Sequence, residues 1–214
     1  MEKIIIDNRL DVLIVNDLQK DFLESFPHPE PEIISKKIVS ILHFFHLNNI
    51  YFFLHAHNIE IFKDCPNLRH GIVFPKIVLQ NSENKNISQL GISEGFEFDE
   101  NLYAYLKKEV LKGNSFKIFH KMKCPILGVQ FSVLNACNID EHLLKNKARR
   151  IFFSGFNLSP CIMNEIFYLS HKDNFEIFII KDLVGFSDEK DKMVLLESLK
   201  SRRINCINSN QLFK

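Results

Sequence analysis

Short apolar runs rich in β-branched and aromatic residues recur along the chain, each closed by polar or turn residues and separated by longer segments with helical spacing. Six of them predict strands: Asp11 to Asn16 (DVLIVN), Ile50 to Ala56, Phe116 to His120, Arg150 to Ser154, Phe175 to Lys181 and Ile204 to Asn208. Their near-continuous apolar character points to burial on both faces, as in a parallel sheet. Between them the spacing predicts helices at Glu32 to Leu47, Asn101 to Lys112, Asp140 to Asn146, Pro160 to Asp173 and Glu189 to Ser201. A β-α-β-α order calls for right-handed crossovers. The expected fold is therefore α/β, an open doubly wound, mainly parallel sheet with helices on both faces and ligands bound beyond the carboxyl ends of the strands. Pro75 to Asp99 lacks this rhythm and reads as an irregular loop or lid. No repeat, linker or charge block divides the chain, so residues 1–214 are expected to form one domain.

Composition narrows the function classes. Lys and Arg total 27 against 26 Asp and Glu, a net charge of +1, so no overall field recruits nucleic acid or an anionic membrane. With 46% hydrophobic and 25% charged residues the chain can bury a sizeable core, and no apolar run approaches the roughly 18 residues of a membrane span. The opening residues Met1 to Asp7 have neither the apolar length nor the small-residue cleavage site of a signal peptide, which makes the cytoplasm the expected location. Cys65, Cys124, Cys137, Cys161 and Cys206 form no C-x-x-C pair and are expected to be free thiols. The 21 phenylalanines carry no functional reading of their own.

Chemistry is sought at the strand ends. Asp17 and Asp21 follow the first predicted strand, Lys121 and Lys123 the third, and Cys161 the Gly155 turn after the fourth, so three strand ends offer acid, base and nucleophile. In Gly-Phe-Asn-Leu-Ser-Pro-Cys, Ser159 can cap a helix and Pro160 can take its first position. That places Cys161 in the first helical turn, where the helix dipole favours thiolate, as a nearby lysine would. Read alone, Cys161 reads more readily as a packing residue and Lys121 as a solvated lysine, while Asp17 is equally consistent with a turn or capping aspartate. The remaining cysteines read as packing residues, and the charged run Asp188 to Lys192 as a solvated helix start.

Asp11 to Phe22, DVLIVNDLQKDF, resembles the opening of the isochorismatase-like cysteine hydrolases, which include the nicotinamidases: an apolar strand, then Asp-x-Gln-x-Asp-Phe. The resemblance gives Asp17 the role of catalytic acid/base. Gly155 to Cys161 is similar to the family's nucleophile turn, Asp182 resembles the aspartate after the next strand, and Lys121, with Phe131 ten residues on, matches the catalytic lysine and its later aromatic. Lys123 is the alternative register. It further implies an oxyanion hole from the backbone N–H groups of Asn157 and Cys161, brought together by a cis peptide between Phe156 and Asn157. Phe22 and Phe131, with Phe156, are candidates to line a pocket for a flat substrate, against a core role for each.

The metal-binding nicotinamidases carry Asp-x-His after the second strand and a further histidine. Here the stretch reads His55-Ala56-His57, followed by His70, with histidine in the aspartate's place. His55 and His57 lie two apart on an extended segment and so share a face, which suits coordination of zinc, iron or manganese; a core histidine and a loop histidine are the alternative. Met122 stands where a glycine is usual, and Asn157, Leu158 and Ser159 replace the commoner small residue, Thr and Asp. Three outcomes are thus open: a nicotinamidase-like amidohydrolase working through a Cys161 thioester, a metal-free hydrolase of another small substrate, and a catalytically silent binding or assembly subunit. The expected partner is a small-molecule amide, with self-association into a homo-oligomer compatible.

Overall fold

The computed structural model describes residues 3–19, 23, 30–55, 98–112, 114, 117–121, 139–186 and 188–214. In chain order the elements are β1 (Ile4–Ile5), β2 (Asp11–Asn16), α1 (Pro31–Ile41), β3 (Ile50–His55), α2 (Glu100–Leu111), β4 (Lys117–Lys121), α3 (Ile139–Lys145), β5 (Arg150–Gly155), α4 (Met163–Ser170), β6 (Glu176–Val184), α5 (Glu189–Ser201), β7 (Asn205–Ile207) and β8 (Leu212–Phe213). Six strands form one sheet in the order β4-β3-β2-β5-β6-β7, and each neighbouring pair is parallel.

Alternation along the strands builds two cores. Leu13 and Val15 of β2 face Ile34, Ile38 and Ile41 of α1 and Leu102 and Leu106 of α2. Val12 and Ile14, one residue out of phase, join the opposite core with Leu143 of α3, Ile166 and Leu169 of α4, and Leu196 and Leu199 of α5. The sheet is covered on both sides, which is why its strands read as continuous apolar runs. From β2 the chain steps outward through β3 and β4, then returns to place β5 on the other side of β2 and steps outward again through β6 and β7. The direction of winding reverses between β2 and β5, and the crevice beyond the carboxyl ends of those two strands is the topological switch point.

Several boundaries differ from the sequence expectations for physical reasons. The helix expected to reach Leu47 ends at Ile41 and continues as two single-turn 3₁₀ segments, Leu42–Phe44 and Leu47–Asn49. Phe45 is extended between them and packs edge-on against Phe152 at 5.5 Å, and the His46 ring accepts from the Asn48 N–H, so tertiary packing and a local cap override helical spacing. Strand β4 spans Lys117–Lys121, so Lys121 is the last residue of the strand and does not follow it. Strand β6 runs on to Val184, beyond the expected Lys181, with a register shift against β5 between Phe153 and Gly155. The two-residue strands β1 and β8, which pair with each other, are too short to register as periodic runs. Of Pro75 to Asp99 only the last two residues are described, and both are ordered: Phe98 bridges Gln19, and Asp99 caps α2 by accepting from the N–H groups of Asn101 and Leu102 while Ser35 of α1 donates to the same carboxylate.

Candidate active site

Asp17 is fully buried immediately after β2, at φ 45°, a left-handed conformation that Asp tolerates better than most residues. Its N–H donates to the Phe53 carbonyl of β3 at 2.7 Å and its carbonyl accepts from Gln19 N–H at 2.8 Å, so the turn is tied to the sheet on one side and folded on itself on the other. Gln19 then meets Phe98, and Asp99 N–H donates to the Leu18 carbonyl, which fixes the far side of the Asp17 turn to the start of α2.

The turn after β5 is held at least as firmly. Gly155 pairs with Asn16 at φ 105°, and a Cβ there would lie 2.0 Å from the Asn16 carbonyl oxygen, so only glycine allows β5 to close this tightly on β2. Phe156 N–H donates to that carbonyl at 2.8 Å, Leu158 N–H to the Gly185 carbonyl at 2.8 Å and Ile162 N–H to the Asn157 carbonyl at 3.0 Å. Gly185 lies flat on the buried Phe156 ring, where a Cβ would come within 2.0 Å. The peptide between Phe156 and Asn157 is cis, as the resemblance implied, and so is that between Ser159 and Pro160.

Ser159 is extended (φ −124°, ψ 135°), and the chain is helical from Pro160 onward, becoming the regular helix α4 at Met163. Cys161 therefore lies in the first helical turn, with only 6% of its surface exposed. The other described cysteine, Cys206 of β7, is half-buried, and burial pushes its thiol up. The two turns are brought together by the Asn16–Gly155 pair at the switch point.

Lys121 and His55 end adjacent strands as register partners, two positions beyond the Asn16–Phe53 pair. Strand β4 is two places from β2, so the Lys121 backbone stands on the order of 10 Å from that of β2 at the same edge. The side chains of Lys121 and His55 lie outside the description, as do all of His57, His70, Phe22, Phe131, Asp21, Met122, Lys123, Cys65, Cys124 and Cys137. Among the described residues no group of three potential metal ligands gathers.

Asp182 departs from the expectation. It sits inside β6 and not after it, and its carboxylate accepts from Ser209 N–H at 2.7 Å and Ser209 hydroxyl at 2.6 Å, with Lys37 at 3.7 Å. Its described contacts anchor the segment after β7 to the sheet. Two buried polar residues, Asn16 and Glu165, were not singled out in the sequence reading. Neither heteroatom of the Asn16 amide, nor Asn157 Oδ1, has a hydrogen-bond partner among the described residues. Asn16 was legible as the polar end of an otherwise apolar strand; Glu165, buried in α4, had only its position on the inward face of that helix as a signal. Beside the nucleophile turn a cavity of about 320 Å³ is lined by Leu158, Ser159, Phe186, Asp188, Asp191 and Lys192.

No family model matches the chain, and no curated protein matches it in sequence. Solved structures do match in fold. A nicotinamidase/pyrazinamidase from Bacillus subtilis superposes with a TM-score of 0.64 at 15% identity, over 93% of this chain and 100% of that one. A pyrazinamidase from Pyrococcus horikoshii in complex with zinc gives 0.60 at 19% identity, over 92% and 98%. A cysteine hydrolase from Pseudomonas syringae pv. phaseolicola gives 0.59 at 13% identity, over 98% and 93%. The chain has the isochorismatase-like fold of these proteins.

Proposed function

We propose that the protein is a cysteine amidohydrolase that cleaves a small aromatic carboxamide of the nicotinamide type to the acid and ammonia. The observation that carries the reading is the junction at the switch point: a buried aspartate turn and a helix-start cysteine turn locked to each other through Asn16 and Gly155. The fold shared with nicotinamidase structures supports it. In this reading Asp17 takes the Cys161 thiol proton while the Lys121 ammonium and the helix dipole stabilise the thiolate. Sulfur attacks the carboxamide carbon, and the oxyanion that forms is held by the backbone N–H groups of Asn157 and Cys161. Collapse breaks the C–N bond, with Asp17 returning its proton to the departing ammonia, and water, deprotonated by Asp17, cleaves the thioester. His55, His57 and His70 would hold a divalent cation whose contribution is to orient the substrate ring; none of these proton transfers runs through it.

The test is ammonia release from nicotinamide together with mass spectrometry of the acyl-enzyme. Wild type should release ammonia and, on rapid quench, carry the acyl group on Cys161. Asp17→Asn, which keeps a side chain tolerant of positive φ, should lower turnover by about 10²- to 10⁴-fold without unfolding. Ammonia release with no adduct at Cys161, or full activity in Asp17→Asn, refutes the mechanism. A reactive Cys161 with nicotinamide left intact shifts the reading to a hydrolase of another small substrate, and an inert Cys161 to a silent binding subunit.

A further inference from the structure

A second cluster of titratable groups lies at the opposite, amino end of the sheet. Lys117 opens β4 half-buried, and its Nζ stands 3.1 Å from the Tyr51 hydroxyl of β3, 2.7 Å from Nε2 of His142 in α3, and 4.6 Å from the centre of the Tyr51 ring. Among the described residues no carboxylate pairs with Lys117. The charged neighbours acting on this group are cationic: Lys117 and Lys145 both bear on His142. Burial pushes Lys117 down to about 8, burial followed by those two lysines pushes His142 below its ordinary value, and burial pushes Tyr51 up to about 12. At 2.7 Å only one proton fits between Nζ and Nε2, so an amine and an imidazole are held in the arrangement of a nucleophile and its base.

We propose that Lys117 is an acyl-acceptor site that takes short, uncharged acyl groups from activated acyl thioesters, with His142 as proton acceptor. The Nζ lone pair forms a bond to the thioester carbonyl carbon, the C–S bond breaks with its electrons going to sulfur, and the thiolate departs. The proton released from Nζ passes to His142 Nε2 and from there to solvent. The amide product is neutral, which removes the desolvation penalty borne by the ammonium, and it keeps one N–H to donate to His142. The Tyr51 ring beneath Nζ is itself fully buried and offers no pocket for a long acyl chain, and the hydrogen bonds of the amine are to the Tyr51 hydroxyl and to His142 Nε2.

The experiment uses the whole protein with limiting S-acetyl-N-acetylcysteamine at pH 7.5 and site-resolved peptide mass spectrometry. Lys117 should acetylate at least about tenfold faster than the exposed Lys3 and Lys190, with a rate midpoint near its depressed value, because a far larger fraction of its amine is unprotonated at neutral pH. His142→Gln should lower the Lys117 rate by about threefold or more while leaving Lys3 and Lys190 unchanged. Equal or slower reaction at Lys117 in the folded wild type overturns the proposal, as does an advantage that persists in urea, which would make it a property of local sequence. The wild-type ranking needs no variant to fold.

Discussion

At the amino end of the central strand pair, Asp11 of β2 and Arg150 of β5 meet in a two-point ion pair, Nε donating at 2.7 Å, with Asp7 N–H on the same carboxylate and the Ile5 carbonyl accepting from the same guanidinium. Asp11 is fully buried and Arg150 about a quarter exposed; the Asp11 carboxylate beside it raises the already high value of the guanidinium. At the carboxyl end of the same two strands the paired residues are Asn16 and Gly155, followed by Asp17 and the cysteine turn, and the buried Asn16 amide has no described partner. One end of β2–β5 spends its polar groups on each other, whereas at the other the Asn16 amide has no partner among the described residues and the Asp17 and cysteine turns follow directly from the paired strands. The first arrangement stabilises the fold, while the second fits the reaction centre proposed above, since groups meant for substrate cannot be fully satisfied beforehand.

This contrast can be broken by substitution. The largest expected effect is at the carboxyl end: Cys161→Ala should reduce amide turnover by at least about a thousandfold while a denaturant melt shifts little, because the proposed mechanism makes the thiol the nucleophile and its small side chain contributes little packing. Comparable loss of stability and turnover would make Cys161 a packing residue. Next, Asp11→Ala should lower stability by about 3 kcal/mol, since it strips the partner from a partly buried guanidinium, with turnover per folded molecule unchanged. Turnover that falls in proportion would mean that the two ends are coupled.

Smaller effects sharpen the same comparison. Asn16→Leu should raise stability by about 1 kcal/mol, as an unsatisfied buried amide gives way to an apolar side chain of similar size, and lower turnover in the same protein. A destabilised Asn16→Leu would show that the amide is already satisfied. The smallest effect concerns Lys117→Met. A lysine held below its unfolded value disfavours the folded state while it is charged, so wild-type stability recovers as pH rises from about 8 toward the ordinary lysine value. The variant should therefore melt slightly higher than wild type at pH 7, with the difference shrinking above pH 8; a constant difference across that range would remove Lys117 as the cause.

Much of the architecture was readable because it rests on periodicity. Strand β2 and helix α5 begin and end where the pattern of apolar residues puts them, and the structure adds an N-cap to α5, with Asp188 Oδ1 accepting from the Lys190 and Asp191 N–H groups. Elements decided by distant contacts were not readable. Phe45 leaves the helix to pack on Phe152, and β6 runs on through Asp182 to Val184 although Lys181 and Asp182 break its apolar run. At the candidate site the local positions of Asp17, Gly155 and Cys161 were legible because a strand end, a tight turn and a helix start each leave a local signature. Position along a strand says nothing of which neighbour a carboxylate will meet, and for Asp182, which lies inside β6, that neighbour is Ser209. That the Asn16 amide has no partner among the described residues is a property of three-dimensional surroundings that one sequence does not display.

The pairing that joins the two site turns also governs when the site can come into being. Asp11 and Arg150 are 139 residues apart, whereas β2 and β3 pair across a far shorter stretch, and closing the longer loop costs about 1 kcal/mol more in chain entropy. Because such non-local pairing slows folding, the β2–β5 seam should zip late, after each half has gathered its own strands. A nascent or partly refolded chain would then hold Asp17 in one half and Cys161 in the other, and recovery of thiol reactivity during refolding should trail recovery of helical signal.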